Sequence, residues 1–245
     1  MDGRYDRCTA LVLDAGLSGE AASLLLLSRG CSVLLLDEQE LSGEGLCAEN
    51  VRQAGGRVVC GSRGLPEEHF DICVASPSFP SRHPWIWTCL KRGVPVISEL
   101  ELGAAYWHGK ILAVTGSKGK SSLVKLCADV LNGAGMSASP AGNYGIPLCR
   151  LALEQPGLKW AVVEVSSFQM ELTGEFHPDI AVLLNIQPDH LDRHADMEEY
   201  RNLKFKLFAG MRSGALALLP QGVDYVEAMP AGVEVRRFGD TPCCD

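Results

Sequence analysis

Residues 110–122 read KILAVTGSKGKSS, which joins an apolar run, a glycine-rich turn and a lysine–serine pair without interruption. The run Lys110–Val114 predicts a buried strand, and the pattern of Lys120–Asn132 predicts a helix directly after the turn. A glycine-rich turn in this position lets successive backbone N–H groups point at one anion, beside the positive end of the helix. The stretch therefore predicts an α/β unit with a parallel sheet and a phosphate-binding loop at the sheet edge.

The turn carries the residue types that hold the phosphates of a nucleotide. Lys120 would reach the β- and γ-phosphates, and the Ser121 hydroxyl would be a ligand of Mg²⁺. Val114 stands where the general pattern has its first glycine, so this variant loop fits ordinary GTPases and transporter ATPases poorly. The alternative is an ordinary turn rich in Gly, Ser and Lys. The candidate ATP-binding residues are Gly116, Ser117, Lys118, Gly119, Lys120, Ser121 and Ser122.

Short apolar runs alternate with helical patterns along the whole chain, which is typical of parallel α/β architecture. The other predicted strands are Thr9–Leu13, Ser32–Leu36, Arg57–Cys60, Ile72–Ala75, Val94–Ile97, Ala161–Val165, Ile180–Leu184, Ala215–Leu219 and Val233–Phe238. The other predicted helices include Pro84–Arg92 and Met197–Phe208, the latter with Met197, Tyr200, Leu203 and Leu207 on one apolar face. We expect a Rossmann-like N-terminal domain at residues 1–103 and a central P-loop, parallel-sheet domain at residues 104–245.

Composition excludes several classes of protein. The 245 residues carry 22 Lys and Arg against 30 Asp and Glu, so the net charge of −8 argues against binding nucleic acid by bulk electrostatics. No apolar run is long enough to cross a bilayer, and the polar segment Met1–Arg7 is unlike a signal peptide, so we expect a cytoplasmic protein without a membrane partner. The ten cysteines include no C-x-x-C pair and are expected to be reduced thiols, with Cys243 and Cys244 left unexplained.

Further groups able to do chemistry follow the later strands. Glu164 lies near the end of an apolar strand, where a carboxylate can bind Mg²⁺ or orient a nucleophile. The run NIQPDHLDRH at residues 185–194 follows the next strand and contains His190. A histidine alone is more often a structural hydrogen-bonding group, but its position at the same edge as Glu164 favours a metal role. Lys204 and Lys206 lie on the following helix, and the residues alone do not distinguish them from a solvated helix face.

Four stretches in this order closely resemble the Mur ligases of peptidoglycan synthesis, and most of all their D-glutamate-adding type: Gly116–Ser122, Glu164–Gln169, Asn185–Arg193 and Tyr200–Lys204. The resemblance implies that ATP phosphorylates the carboxylate of UDP-N-acetylmuramoyl-L-alanine, and that the amine of D-glutamate attacks the acyl phosphate to form an amide. ATP and Mg²⁺ are the implied cofactors, and a monomer is expected. The family also has a third, C-terminal domain that this sequence does not reach, so we expect the 245-residue chain alone to ligate nothing measurable.

The resemblance also implies roles for single residues. Lys120, His190 and Lys204 would be catalytic, with Lys204 converted by CO₂ to a carbamate. The implied metal ligands are Ser121, Glu164, His190 and Lys204. The residues implied around the muramoyl peptide are Asn143, Ser166 and Gln169, and those around the uridine diphosphate are Leu17, Ser18, Asp37 and Glu38. Asp14 replaces the first glycine of the family's uridine-binding turn, where a carboxylate would repel a diphosphate, and Ser76-Pro77-Ser78 replaces the family's Ser-Pro-Gly.

Three alternatives remain open. Gly16, Gly19 and Asp37 imitate part of a dinucleotide fingerprint and would fit an NAD-dependent oxidoreductase, although the second loop is then unexplained. A nucleotide-binding module without catalysis would sense ATP or a cell-wall precursor. Within the family, a MurC-type or folylpolyglutamate-type ligase is the nearest rival. The Rossmann-like first unit argues against the folate branch, and the pair Phe168-Gln169 favours D-glutamate addition.

Overall fold

The computed structural model describes residues 3–40, 45–190, 192–223 and 229–239, and its α/β fold with two parallel sheets confirms the predicted fold class. The chain forms two compact units. Unit 1 contains the described residues up to Trp107, together with Pro147–Pro156 and Glu171–Thr173, and unit 2 contains the others. Leu191, Cys243 and Cys244 lie outside the described residues. Within the described ranges, no helix combines the length and the apolar character that a bilayer span needs.

Unit 1 is built on a five-stranded parallel sheet, and helices connect most of its strands. Its strands are β1 (Thr9–Leu13), β2 (Ser32–Leu36), β3 (Arg57–Val59), β4 (Ile72–Ala75) and β5 (Val96–Ser98). Its helices are α1 (Leu17–Ser28), α2 (Leu46–Gln53), α3 (Pro84–Lys91), α4 (Glu99–Tyr106) and, later in the chain, α6 (Leu148–Glu154). The strand order β3-β2-β1-β4-β5 reverses direction beside β1, as in doubly wound sheets, which bind ligands at that reversal.

The position of α6 differs from the predicted domain ranges of 1–103 and 104–245. Helix α6 comes after residue 104 but packs against α1 and α4 of unit 1. The buried Glu99 carboxylate accepts a hydrogen bond of 2.7 Å from the backbone N–H of Cys149, which ties the start of α6 to α4. Tertiary burial of the apolar face of α6 therefore places this segment, and local sequence does not reveal it.

Unit 2 is built on a six-stranded parallel sheet with the strand order β11-β10-β9-β6-β8-β7. Its strands are β6 (Lys110–Thr115), β7 (Ala138–Gly142), β8 (Trp160–Glu164), β9 (Ile180–Leu183), β10 (Leu216–Pro220) and β11 (Glu234–Phe238). Its helices are α5 (Lys120–Gly133), α7 (Ser167–Glu171), which ends at the unit boundary, and α8 (Met197–Ala209). Because β8 and β9 flank β6, the segments that follow these three strands meet at one edge of the sheet.

The buried face of α8 differs from the predicted one. Tyr200 and Leu207 are buried as expected, but Met197 and Leu203 are only half-buried. The other buried positions are Lys204, Phe205 and Phe208. Residues 200, 204, 207 and 208 recur at helical spacing, so the buried stripe passes through a lysine that a hydropathy pattern assigns to the polar face.

Candidate active site

Backbone geometry at two glycines shapes the loop between β6 and α5. Gly116 has a φ of 147° and Gly119 a φ of 86°, in the region that favours glycine. A Cβ atom on Gly116 would also lie 3.0 Å from the Cβ atom of Leu184. The Asn185 side chain binds the loop through hydrogen bonds. Its Oδ1 accepts from the backbone N–H groups of Ser117 and Lys118 at 3.1 and 3.0 Å. Its Nδ2 donates to the carbonyl oxygen of Lys118 at 3.0 Å, which fixes the loop from the β9 side.

Two lysine side chains converge on one carbonyl oxygen of this loop. The Nζ atoms of Lys120 and Lys204 lie 2.9 and 2.8 Å from the carbonyl oxygen of Gly116. Lys204 is only 2% exposed, although lysine side chains are almost always solvated. Burial, followed by the charge of Lys120, lowers the pKa of Lys204 from 10.5 to about 7, against the opposing effect of nearby carboxylates. A large fraction of the Lys204 amine is therefore neutral near pH 7.

Glu164 at the end of β8 forms the acidic side of the site. Glu164 is 3% exposed, and its carboxylate accepts hydrogen bonds from Ser121 Oγ at 2.6 Å and from Asn143 Nδ2 at 2.9 Å. Ser121 lies in the first turn of α5, Asn143 follows β7 and Glu164 ends β8, so three neighbouring elements fix the carboxylate. The structure thus brings together three of the predicted site residues in one hydrogen-bonded group.

His190 occupies a different set of contacts. Its backbone has a φ of 55°, and the centroid of its ring lies 4.8 Å from that of Phe168. Its Nε2 is 3.8 Å from Asp189 Oδ2, and Asp189 pairs with Lys118 at 3.0 Å, a contact that lowers the pKa of Asp189. Across the described ranges, no group of three or more His, Cys, Asp or Glu side chains could hold a metal ion. The metal role of His190 stays a prediction.

Ser166 and Gln169 are engaged with each other. The N–H and Oγ of Ser166 donate to Gln169 Oε1 at 3.0 and 3.2 Å, around the first turn of α7. This pairing orders the strand-to-helix turn next to Glu164, and the substrate contacts assigned to both residues stay predictions.

Sequence reasoning missed three residues that shape the site. Asn185 belongs to the stretch Asn185–Arg193 but is not among the predicted site residues, and its position directly after a strand is the signal that the sequence offers. Tyr200 donates to Ser117 Oγ at 3.0 Å, and its ring centroid lies 4.4 Å from Lys204 Nζ. The buried His194 places Nε2 2.9 Å from Ser167 Oγ.

Only two of the four residues predicted around the uridine diphosphate line a common cavity of unit 1. Asp37 and Glu38 line a cavity of about 160 Å³, whose other lining residues are Asp14, Gln39, Ser78, Phe79 and His83. Leu17 and Ser18 open α1 and are not among these lining residues. The Asp37 carboxylate accepts from the N–H of Ala15 at 2.8 Å, and Glu38 lies 3.1 Å from His83 Nε2.

Asp14 occupies the turn before α1 in a backbone conformation that is unusual for a side chain, with a φ of 91°. Its carboxylate accepts from the N–H of Gly16 at 3.2 Å and from Ser76 Oγ at 2.5 Å. An acidic group therefore lies at the positive end of α1, the position where a diphosphate would otherwise be favoured.

The fold and the loop of unit 2 define a P-loop type of α/β protein. The family model described as the Mur ligase middle domain matches residues 114–240, about half of the chain, and the chain belongs to the Mur ligase family. It is 37% identical over 229 residues to the UDP-N-acetylmuramoylalanine--D-glutamate ligase of Acidobacterium capsulatum, covering 93% of the chain and 50% of the relative. It is 37% identical over 206 residues to the protein of the same name from Geobacillus kaustophilus, covering 83% and 46%. The chain thus spans about half the length of the curated relatives it matches.

Solved structures agree with this fold at low sequence identity. The UDP-N-acetylmuramate:L-alanyl-gamma-D-glutamyl-meso-diaminopimelate ligase of Neisseria meningitides matches with a TM-score of 0.60 and 18% identity, over 95% of this chain and 78% of that one. A MurF ligase from Thermotoga maritima in complex with ADP matches with a TM-score of 0.51 and 16% identity, over 85% and 47%. These likenesses show the shared fold.

Proposed function

We propose that the chain provides the ATP- and Mg²⁺-binding site of a ligase that joins D-glutamate to UDP-N-acetylmuramoyl-L-alanine. The observation that supports this most is the meeting of the glycine-rich loop, Glu164 and the buried Lys204 at one sheet edge. The names of the curated relatives support the choice of substrates. A cytoplasmic location and a monomeric state remain predictions.

The proposed reaction must activate a carboxylate, because oxide is too poor a leaving group for an amine to displace. Transfer of the γ-phosphoryl group of ATP to the carboxylate of UDP-N-acetylmuramoyl-L-alanine gives an acyl phosphate and ADP. The amine of D-glutamate then attacks the carbonyl carbon, and the tetrahedral intermediate expels phosphate to leave an amide. The protein therefore has to hold anionic groups together and compensate their charge.

Ser121 and Glu164 are suited to hold one Mg²⁺ beside the phosphates. Two neighbouring ligands of an octahedral Mg²⁺, each about 2.1 Å from the ion, lie about 3.0 Å apart. Ser121 Oγ and Glu164 Oε2 are 2.6 Å apart, so a small outward movement would make them neighbouring ligands. When bound, Mg²⁺ would compensate the charge of the phosphate oxygens, and Lys120 with the loop amides would hold the γ-phosphate.

Lys204 is suited to become a carbamate because much of its amine is neutral near pH 7. The neutral nitrogen attacks the carbon of CO₂, and an N–C bond forms as one C–O π bond breaks to leave an oxyanion. The nitrogen then loses a proton to solvent. This replaces a partly protonated amine next to Lys120 with an anion. We propose that this anion and His190 contribute to a second Mg²⁺ site.

The substrate contacts complete the proposal. Asn143, Ser166 and Gln169 would contact the muramoyl peptide, and the residues proposed around the uridine diphosphate are Leu17, Ser18, Asp37 and Glu38. Asn143 has a second task, since its amide orients Glu164 through the bond of 2.9 Å.

The experiment tests the magnesium site and the reaction separately. ATP affinity of the chain is measured by calorimetry with and without Mg²⁺ for the wild type and for Ser121→Ala and Asn143→Ala. Both variants should weaken binding about tenfold with Mg²⁺ and little without it, because each loses a Mg²⁺ ligand or its orienting bond. Lys125→Ala, which changes an exposed lysine on α5, is the matched control. Equal losses with and without Mg²⁺ would contradict the metal assignment.

The reaction is tested in a protein of the relatives' full length that contains this chain. Phosphate release should require ATP, UDP-N-acetylmuramoyl-L-alanine and D-glutamate together. Phosphate release that requires a different muramoyl substrate or a different amino acid would favour the alternative of another, MurC-like ligase. Nucleotide binding without phosphate release would favour a non-catalytic module.

A further inference from the structure

Two thiols of unit 1 lie side by side at the start of neighbouring strands. Cys8 precedes β1 and Cys31 precedes β2, and their Sγ atoms are 3.5 Å apart. The parallel register pairs Thr9 with Ser32, and the N–H of Ser32 donates to the carbonyl oxygen of Cys8 at 2.9 Å. The two cysteines are therefore cross-strand neighbours, held in place by the sheet.

We propose that Cys8 and Cys31 are a thiol-oxidation site that closes to an intramolecular disulfide when a peroxide reaches it. Neighbouring strands lie about 4.8 Å apart, within the Cα–Cα range of about 4.4–6.8 Å that disulfides span. The Sγ atoms have to approach by about 1.5 Å to reach bonding distance, which side-chain rotation can supply. This inference is independent of the proposed ligase function.

The surroundings of the pair favour Cys31 as the group that reacts first. Its Sγ accepts a hydrogen bond from the Cys8 thiol at 3.5 Å, which favours the thiolate form of Cys31. Its own thiol donates to the carbonyl oxygen of Tyr5 at 2.9 Å, a bond that is given up when Cys31 loses its proton. The hydrogen bond from Cys8, with backbone N–H groups of residues 7 and 8, lowers the pKa of Cys31 to about 7, while the pKa of Cys8 is raised. Cys31 is 6% exposed and Cys8 is half-buried, so a small peroxide suits this site better than a bulky reagent.

The reaction balances in two steps. The Cys31 thiolate attacks one oxygen of hydrogen peroxide, the O–O bond breaks, and hydroxide leaves, so Cys31 becomes a sulfenic acid. The sulfur of Cys8 then attacks the sulfur of Cys31, the S–O bond breaks, and the Cys8 proton leaves with the hydroxyl group as water. The two thiols are oxidised, the peroxide is reduced, and an external dithiol reverses the change.

The disulfide would close a ring through residues 8–31, which contains β1 and α1. Cross-linking removes conformations from the unfolded chain, so the oxidised unit should resist unfolding more than the reduced one. The unfolding midpoint of unit 1 should rise by about 10 °C, the scale expected for a ring of this length in a domain of this size. In a reducing compartment such a bond forms transiently and reports oxidation.

The test uses the 245-residue chain, treated with hydrogen peroxide, blocked at its free thiols and digested with trypsin. Cleavage after Arg7, Arg29 and Arg52 leaves Cys8 and Cys31 on separate peptides, and fragmentation separates Cys31 from Cys47. We expect these peptides joined through Cys8 and Cys31, a higher melting midpoint, and reversal of both by dithiothreitol. Cys8→Ser and Cys31→Ser should abolish the midpoint shift, and Cys127→Ser, at a half-buried thiol of unit 2, should keep it.

The cross-linked peptide in the wild type decides the proposal without any variant. Oxidation of either cysteine to a stable sulfinic acid without a joined peptide would overturn it. So would a disulfide that joins Cys8 or Cys31 to any other cysteine.

Discussion

Replacing Lys204 with methionine should change how the stability of unit 2 depends on pH. In the folded chain, burial lowers the pKa of Lys204 from 10.5 to about 7. At a pH between these two pKa values, Lys204 is protonated in the unfolded chain and neutral in the folded chain. The free energy of unfolding of the wild type should therefore rise with pH across this window. Methionine does not titrate, so the variant should lack this contribution.

The size of the contribution of Lys204 to the free energy of unfolding follows from its pKa shift. One pKa unit corresponds to about 1.4 kcal/mol, and the folded amine is already half deprotonated near pH 7. The contribution of Lys204 should then rise by about 2 kcal/mol from pH 7 to pH 9. The side chain is fully buried, so little screening by solvent reduces this figure.

Urea unfolding followed by circular dichroism, in buffer free of bicarbonate, measures this contribution. The stability gain of the wild type from pH 7 to pH 9 should exceed that of Lys204→Met by about 2 kcal/mol. Lys125→Met is the control, because the exposed Lys125 pairs with Asp129, which raises its pKa and keeps it protonated throughout. Its gain should equal that of the wild type. An equal gain in wild type and Lys204→Met would refute the assignment of a neutral buried amine.

Two further predictions concern unit 1. Burial raises the pKa of Glu99 from 4.5 to about 7, so the folded chain keeps a proton that the unfolded chain loses in this window, and stability falls as pH rises through it. In the same urea assay, the free energy of unfolding of Glu99→Gln relative to that of the wild type should therefore rise by about 2 kcal/mol from pH 5 to pH 8. An unchanged difference between the two proteins would contradict this. Asp14→Gly removes a carboxylate from the N-terminus of α1 and restores a residue suited to a φ of 91°. Its affinity for uridine diphosphate, measured by calorimetry, should rise about tenfold, and an unchanged affinity would show that Asp14 does not oppose the diphosphate.

The central strands could be predicted because each is covered on both faces. The predicted bounds of β1, β2 and β4 agree with the structure, and the other predicted strand ends differ by one or two residues. Strands buried in this way read as uninterrupted apolar runs. Strand β7 was missed because its sequence ASPAG lies at the sheet edge and consists of residues that mostly disfavour strands.

The sequence predicts those site residues that come directly after a recognisable strand. The loop Gly116–Ser122 and Glu164 each follow a recognisable strand, and the strand order of the sheet brings them together. The burial of Lys204 was not predictable, because lysine is normally placed on the solvated face of a helix. Its contact with the carbonyl oxygen of Gly116 arises from the docking of α8, a tertiary event that helical periodicity does not report.

The affinity of the chain for ATP with Mg²⁺, compared between the wild type and Lys120→Ala, tests the central claim most directly. Lys120 Nζ lies at the loop, 2.9 Å from the carbonyl oxygen of Gly116 and 3.0 Å from that of Ser117. Loss of a charge-assisted hydrogen bond should weaken binding at least about tenfold, whereas Lys125→Ala should bind as the wild type does. An ATP affinity that Lys120→Ala leaves unchanged would contradict the assignment of this loop as the phosphate-binding site.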